Sequence, residues 1–514
     1  GKMGKLAVAA ITGLWVIPMS IIVNHIVPEP YMDEIFHVPQ AQQYCNGNFR
    51  SWDPMITTPP GLYYLSLAHV ASFFPVMLLL KTTTQSFSEA CSTSVLRSTN
   101  AVFAVLCGVI VYEIIRFLGP NLSDRKATFM ALVMSLYPLH WFFTFLYYTD
   151  VASLTAVLAM YLACLKRRYM LSALFGTLAI FIRQTNVVWM LFVACSGVID
   201  FTLESLPRRK EKLDQDLHRF IDSKGETVRS NLRKRKSDSS LDTTNRFDRS
   251  KIISSTEEDI SGLVSDIYAV ISTSWNLKWR LLVTFSPFIV VVVAFGIFIL
   301  WNGGIVLGAK EAHVVSPHFA QIMYFSLVSA LFTAPLHFSE LRNLFQRLHK
   351  SWPLRLLVTL VALIAGLGSV HFFSLAHPYL LADNRHYPFY LWRKVINAHW
   401  SIKYVLVPVY VYSWFSILSL LEKTRRKIWV LIYFLATCAV LVPTPLIEFR
   451  YYTIPLYLFM LHSCVRSSGF ATWLLVGTIF VGVNVFTMAM FLFRPFKWSH
   501  EDGVQRKKER NSKM

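Results

Sequence analysis

Long apolar runs separated by short polar clusters set the rhythm of this chain. A helix that crosses a bilayer needs about 20 consecutive, mostly apolar residues. Runs of that kind lie near 6–28, 62–80, 96–118, 127–146, 150–165, 168–183, 186–203, 280–302, 317–337, 354–374, 402–421, 428–443, 449–465 and 471–494. The pattern predicts an all-α polytopic membrane protein. One long stretch, 204–277, breaks it. Rich in Ser, Asp, Lys and Arg, with few aromatics and the run Arg233-Lys234-Arg235-Lys236, it reads as a disordered loop. It separates an N-terminal transmembrane module, 1–203, from a C-terminal one, 278–495, and a polar basic tail, 496–514, follows.

The charges orient the runs. Basic clusters lie at Arg125-Lys126, Lys166-Arg167-Arg168, throughout 204–277, from Arg342 to Arg355 and from Lys423 to Lys427. Loops on the cytoplasmic side carry the Lys/Arg excess. All five clusters fall on that side together if the N-terminus does too and the 62–80 run does not cross. That run is also the weakest candidate, interrupted by His69 and Pro75. Residues 29–95 are therefore expected to form one long lumenal loop with a helix lying on or dipping into the membrane. The expected total is about 13 spans, within 12–14. An odd number puts the basic stretch Arg506 to Lys513 in the lumen, against the rule that orients the rest. The sequon Asn121-Leu122-Ser123 falls on the cytoplasmic side and is expected to stay bare. Gly1-Lys2 ahead of Met3 reads as a cloning remnant. The run after it is too long for a signal-peptide core, so it is expected to stay as a first span.

Composition agrees with the apolar pattern. Hydrophobic residues make up 54% of the 514 and charged residues 16%, against roughly 25% charged in a soluble domain. The formal charge is 50 − 30 = +20, but no nucleic-acid-reading motif accompanies it, so membrane lipids and not nucleic acid are the expected partners. Seven Cys include no CxxC pair, which leaves no zinc pattern and no disulfide scaffold. Cys45 and Cys91 share the first lumenal loop and are expected to pair, while the other five read as apolar fillers.

Unusual residues gather on the lumenal side. Asp33 and Glu34, within Tyr31-Met32-Asp33-Glu34-Ile35-Phe36-His37, are costly so close to hydrocarbon. Asp33 as a helix cap is the bland reading and a catalytic carboxylate the sharper one. Four further turns set polar groups among aromatics: Phe145 to Asp150 with Tyr148, Ile182 to Asn186 with Arg183 and Gln184, Leu381 to Tyr390 with Asp383, Arg385 and His386, and Ile447 to Tyr452 with Arg450. A guanidinium suits an anionic headgroup through two parallel hydrogen bonds, and an aromatic face suits a sugar ring. Singly, each is equally an interfacial anchor. Asn302 to Gly308 is glycine-rich but follows no strand, so it reads as a tight lumenal turn. P-loop, GxGxxG, HExxH and GxSxG motifs are absent.

Four segments carry a resemblance that covers nearly the whole chain. They are Tyr31 to His37, Trp52-Asp53-Pro54-Met55-Ile56-Thr57-Thr58-Pro59-Pro60-Gly61, Leu380 to Tyr387 and Leu446 to Tyr451. Together they resemble the dolichyl-phosphate-glucose-dependent α-1,2-glucosyltransferases, and the sequence looks like a plant member. The resemblance implies a GT-C-type fold in the endoplasmic reticulum membrane, with the active site facing the lumen. It implies a dolichyl-phosphate-glucose donor and a dolichyl-diphosphate-linked oligosaccharide acceptor bearing two glucoses, without cofactor or metal. Inversion in one displacement calls for a general base and a cation for the leaving phosphate. Asp33 is the first choice for the base and Glu34 the reserve. Arg183, Gln184, Arg385, His386, Arg450 and Tyr148 are expected around the donor, and His37, Trp52, Asp53 and Asp383 around the acceptor. A dolichyl-phosphate-mannose-dependent relative would share this architecture. A transporter would instead favour internal repeats and polar residues at the membrane midplane, and neither is visible; a channel-modulating role could coexist with the enzyme and leaves no readable signature.

Overall fold

A computed structural model describes residues 1–80, 86–225, 254–308, 317–350, 352–374, 392–444, 446–464 and 469–494. Among them the regular structure is helical. In chain order the helices are α1 (Lys2–Ile26), α2 (Glu34–Cys45), α3 (Gly61–Leu79), α4 (Phe87–Ala90), α5 (Thr93–Leu118), α6 (Asp124–Ser135), α7 (Pro138–Phe143), α8 (Thr149–Leu165), α9 (Tyr169–Ile182), α10 (Asn186–Gly225) and α11 (Ser254–Asn276). After these come α12 (Lys278–Thr284), α13 (Ser286–Asn302), α14 (Ala320–Phe332), α15 (Ala334–Lys350), α16 (Trp352–Phe372), α17 (Ile402–Val405), α18 (Val407–Glu422), α19 (Lys427–Leu441), α20 (Thr453–Cys464) and α21 (Phe470–Phe493).

Among the described residues, seven helices are long and apolar enough to cross a bilayer, or up to nine if each bent pair is one span. That criterion does not confirm the expected 13. The chain is a multi-pass membrane protein all the same. Three shorter apolar helices, α8, α9 and α19, fall outside the criterion by length alone. Proline explains the interruptions: α6 gives way to α7 at Pro138, and α12 and α13 meet at 68° beside Pro287. A proline lacks the N–H that would continue the ladder. The stretch 204–277 is helical at both ends, since α10 runs to Gly225 and α11 begins at Ser254. Leu263, Ile267 and Val270 of α11 pack on Ile199, Leu203 and Ile428. That apolar spacing of three and four residues favours an amphipathic helix over the linker that bulk composition suggests. The tail 496–514 lies outside the described residues.

The sequence of α8 fits it for the centre of the bundle. Ala152, Ser153, Ala156, Ala159 and Ala163 keep its surface thin, and almost every residue from Thr149 to Cys164 is buried against α5, α9 and α10. Small residues let helix backbones approach closely where lipid supplies no hydrophobic drive between helices. At the rim the reverse holds. Leu300, Trp301 and Ile364 are exposed, as side chains bathed in acyl chains should be.

Successive helices alternate between two ends. One end carries the start of α2 and α5, the start of α8 and the end of α9; the other carries Lys166 to Arg168 and Lys423 to Lys427. Helix α3 touches only the first end. Gly61 at its start lies so close to the backbone of Phe181 and Ile182 that a Cβ would run into the Phe181 carbonyl. Phe74 and Met77 near its finish pack with Ala90, Cys91 and Val95. Both ends of α3, itself one of the seven helices long and apolar enough to cross, thus pack at that one end. Cys45 and Cys91 are disulfide-bonded at that same end.

Candidate active site

The first carboxylates after α1 take opposite directions. Met32 sits in the left-handed region at φ 56°, a conformation a side chain rarely adopts, and turns the chain sharply into α2. Adjacent residues at the start of a helix point about 100° apart. Glu34 goes inward and is wholly buried. Its Oε1 accepts from Arg97 Nε at 2.9 Å and from the Tyr147 backbone N–H at 2.5 Å. Its Oε2 accepts from Arg97 Nη2 at 2.6 Å and from the Tyr31 N–H at 2.8 Å. The same guanidinium donates to Asn24 Oδ1, the Val27 carbonyl and the Glu29 carbonyl. Glu34 thus ties the loop to α1, α5 and the turn before α8, and its oxygens face no solvent.

Asp33 goes outward. It precedes α2, yet its side chain makes no capping hydrogen bond. Its backbone N–H donates to Tyr148 Oη at 2.8 Å, and its Oδ2 lies 3.3 Å from Arg450 Nη2. Its side chain is 46% exposed, against 16% for Arg450 and 9% for Asp150. Asp33 is therefore the open edge of an otherwise enclosed charge cluster.

Arg450 is the hub. It reaches Asp33, Glu448 through Nε and Asp150 at 3.8 Å, and lies over the rings of Tyr148 and Tyr451 at 5.6 and 5.7 Å. Arg183 pairs with Asp150 at 2.8 Å and also faces Tyr451, at 5.4 Å. Each position follows from its element. Asp150 opens α8, Arg183 closes α9, and Arg450 sits in a short 3-10 turn before α20, so three helix ends deliver the cluster to one place. Acids also suit the start of a helix, where the free N–H groups and the dipole favour negative charge. Fork-shaped guanidinium held by carboxylates and aromatic faces is a rigid donor array for phosphate.

The remaining expected residues divide. His37, one turn beyond Asp33, hydrogen-bonds Tyr63 Oη through Nδ1 at 2.7 Å and faces the Tyr148 ring at 6.1 Å. Burial pushes its imidazole below the usual value, against an upward pull from Asp33. Tyr148 fixes the Asp33 backbone and underlies Arg450. Gln184 donates one amide N–H to the Thr57 carbonyl at 2.7 Å. Trp52 donates to the Ile56 carbonyl at 3.3 Å, and Asp53 Oδ1 accepts from the Met55 N–H at 2.9 Å. These bonds shape the 52–61 segment beside the cluster. The glycine turn closes on it, for Gly308, at φ 74°, packs on the Pro54 and Ile56 carbonyls. Asp383, Arg385 and His386 lie outside the described residues. Among the described residues no three His, Cys, Asp or Glu side chains form a candidate metal set.

Three participants escape a reading of loops alone. Arg97 lies inside an apolar run, and a charge there implies a buried partner. Asn100, three residues on, donates to the Leu146 and Tyr148 carbonyls and so holds the turn before α8. Gln40 clamps the next segment through the Ser51 carbonyl and the Asp53 N–H.

A sequence model of the DIE2/ALG10 family matches residues 27–461. A protein of Arabidopsis thaliana named Dol-P-Glc:Glc(2)Man(9)GlcNAc(2)-PP-Dol alpha-1,2-glucosyltransferase is 83% identical over 507 residues, covering 98% of this chain and 99% of its own length. Proteins of Mus musculus and Homo sapiens with the same name are 33% and 32% identical, each covering 93% of both chains. No solved structure matches the chain.

Proposed function

The chain belongs to the DIE2/ALG10 family, and on that premise we propose that the Asp33–Arg450 cluster is its glycosyl-transfer site. The protein is a dolichyl-phosphate-glucose-dependent α-1,2-glucosyltransferase. It moves glucose from dolichyl phosphate to the diglucosylated lipid-linked oligosaccharide, completing the precursor for N-glycosylation. It works in the endoplasmic reticulum membrane with Asp33 facing the lumen. The basic clusters at the opposite end of the bundle support that orientation.

In this reading Asp33 takes the proton from the 2-hydroxyl of the acceptor's terminal glucose. That oxygen attacks the anomeric carbon of the donor as the bond to phosphate breaks. The electron pair leaves on the phosphate oxygen, dolichyl phosphate departs, and a β-linked donor gives an α-linked product. Arg450 and Arg183, already oriented, meet the charge that grows on the departing phosphate. The inward position of Glu34, with both oxygens already bonded inside the protein, supports Asp33 over it as the base. One observation carries the assignment. Of the two adjacent carboxylates, only Asp33 is open to a substrate, and Arg450 stands 3.3 Å from it.

The test is transfer by purified protein given dolichyl-phosphate-glucose and a lipid-linked acceptor bearing two glucoses, read as one added hexose by mass. Wild type adds the hexose and Asp33→Asn does not, although it folds. If a folded Asp33→Asn protein transfers as well as wild type, Asp33 is not the base. If wild type uses only a mannosyl donor, the donor assignment fails.

A further inference from the structure

The helices that build the Asp33 cluster also build a second polar site at their other ends. Helix α8 begins at Thr149 beside Asp150 and finishes at Leu165. Seventeen residues at 1.5 Å each put that finish about 25 Å away. There a cavity of about 640 Å³ opens between the ends of α5 and α8, the middle of α10 and the turn joining α18 to α19. Its walls are largely apolar, with Phe117, Leu165, Ile199 and Leu203 among them.

Arg425 reaches into it from the turn and is held rigidly. Its Nη1 meets both Asp200 oxygens at 3.1 and 3.3 Å, its Nη2 donates to Tyr161 Oη at 3.0 Å, and its Nε donates to His462 Nδ1 at 3.4 Å. The guanidinium also lies over Trp429 at 5.2 Å. A guanidinium carries five N–H donors. These partners leave the second Nη2 proton for a ligand. His462 Nε2 sits 2.8 Å from the same Tyr161 oxygen, so three helices share one network that fixes the cation at the cavity wall.

The charge balance favours an anion. Asp200 and Glu204 line the cavity, but each is matched, by Arg425 and by Arg167 respectively. Arg280 lies over the ring of Phe201, a wall residue, at 5.3 Å, and pairs with no carboxylate among the described residues. It adds a positive charge beside a wall residue, although it does not line the cavity itself. Depth points to lipid. Trp275 and Trp279 are exposed beside it and flank Lys278, whose ammonium lies 4.5 Å from the first ring and 6.0 Å from the second. Exposed Trp with Lys marks the headgroup level of a bilayer. A cavity at that level, with apolar walls, a fixed arginine and a second cation next to a wall residue, matches a phosphate joined to acyl chains.

We propose that this cavity binds the phosphate headgroup of an anionic phospholipid from the leaflet opposite the Asp33 cluster. Arg425 is the inner cation and Arg280 the outer one. The site is separate from the transfer reaction and uses none of its residues.

The test compares full-length protein incubated with phosphatidic acid, phosphatidylcholine or inorganic phosphate, reading retained ligand by native mass spectrometry and protection against heat. Wild type should retain phosphatidic acid in preference to phosphatidylcholine. Arg280→Ala, an exposed position whose loss spares the fold, should weaken that retention by about tenfold, the worth of one charge-assisted hydrogen bond. Leu203→Trp, which fills the cavity without touching a charge, should abolish it. Equal retention of both lipids overturns the proposal, as does unchanged retention in a folded Leu203→Trp protein. Protection by inorganic phosphate with no lipid retained shows a soluble ligand and overturns the lipid assignment.

Discussion

Glu34→Gln and Asp33→Asn are the same chemical change at neighbouring positions, and the structure makes their consequences opposite. Glu34 accepts four hydrogen bonds inside the protein, two of them from a guanidinium that is itself only 2% exposed. An amide offers one acceptor oxygen and two donors, so its nitrogen must face an Arg97 N–H together with a backbone N–H. Breaking a buried ion pair from one side costs about 3–5 kcal/mol because the other charge stays buried. Asp33 is nearly half exposed, and its ion pair with Arg450 at 3.3 Å is worth about 1 kcal/mol or less after solvent screening. Glu34→Gln should therefore lower the aggregation temperature in detergent sharply, while Asp33→Asn leaves it close to wild type. Transfer should run the other way per folded molecule, since Asp33→Asn loses about 10²–10⁴-fold, the range for general-base catalysis. Replacing both Glu34 and Arg97 by apolar residues should cost less than the sum of the single changes, although Val27, Glu29 and Asn24 then lack their donor. A stable Glu34→Gln protein that has lost transfer, beside an active Asp33→Asn protein, would refute the reasoning outright.

Three further outcomes follow from the same geometry. Arg450→Lys removes the fork that meets Asp33, Asp150 and Glu448 together, so transfer should fall about 10²–10³-fold, measured as initial rate at saturating acceptor. Cys45→Ser opens a loop closed across 46 residues, worth about 4 kcal/mol of chain entropy in the loop-closure account, so reductant should lower the melting temperature of wild type and not of the variant. His37 is held below its usual value of 6.5 by burial; its neutral form costs nothing above that pH, and stability is lost as pH falls from 6.5 towards the lower folded value. His37→Gln should therefore lose less melting temperature than wild type between pH 7.5 and 5.5.

The apolar runs were legible because most nearly coincide with a helix or a broken pair, although α10 and α15 run well past theirs, and a run of 20 apolar residues has few other fates. What the sequence could not separate were Asp33 and Glu34. Their difference is set by Arg97, 63 residues away on α5, and by a left-handed Met32 that no local rule demands. Gln184 has a partner that the sequence hid for a similar reason. One proton of its amide is donated to the carbonyl of Thr57, which is distant in sequence. The helix within 254–276 was hidden by averaging, because a charged, Ser-rich segment can still present one apolar stripe.

Buried polar groups also occur outside these two sites, and their partners decide what they mean. Helices α14 and α15 meet at a sharp bend near Thr333, the kind of break that in transporters exposes backbone and side chains to a solute. Here His337 bonds Thr333 through Nε2 at 3.0 Å and Ser416 through Nδ1 at 2.5 Å, and its ring stacks on Phe459. Glu340 is met by Ser419 at 2.9 Å and by Lys423. Each ring nitrogen and each carboxylate oxygen is matched from within the protein, which is how a bundle closes a break in its own ladder. At this seam the imidazole and the carboxylate are both spent within the protein, while the buried Ser329 hydroxyl one turn earlier has no partner. The exposed Asp33 carboxylate and the unspent Arg425 proton lie instead at the two helix ends, where a lipid-borne substrate or headgroup can reach them from its own leaflet. That distribution is what an enzyme acting on membrane-anchored substrates requires, and it is the reverse of what carriage through the bundle would need.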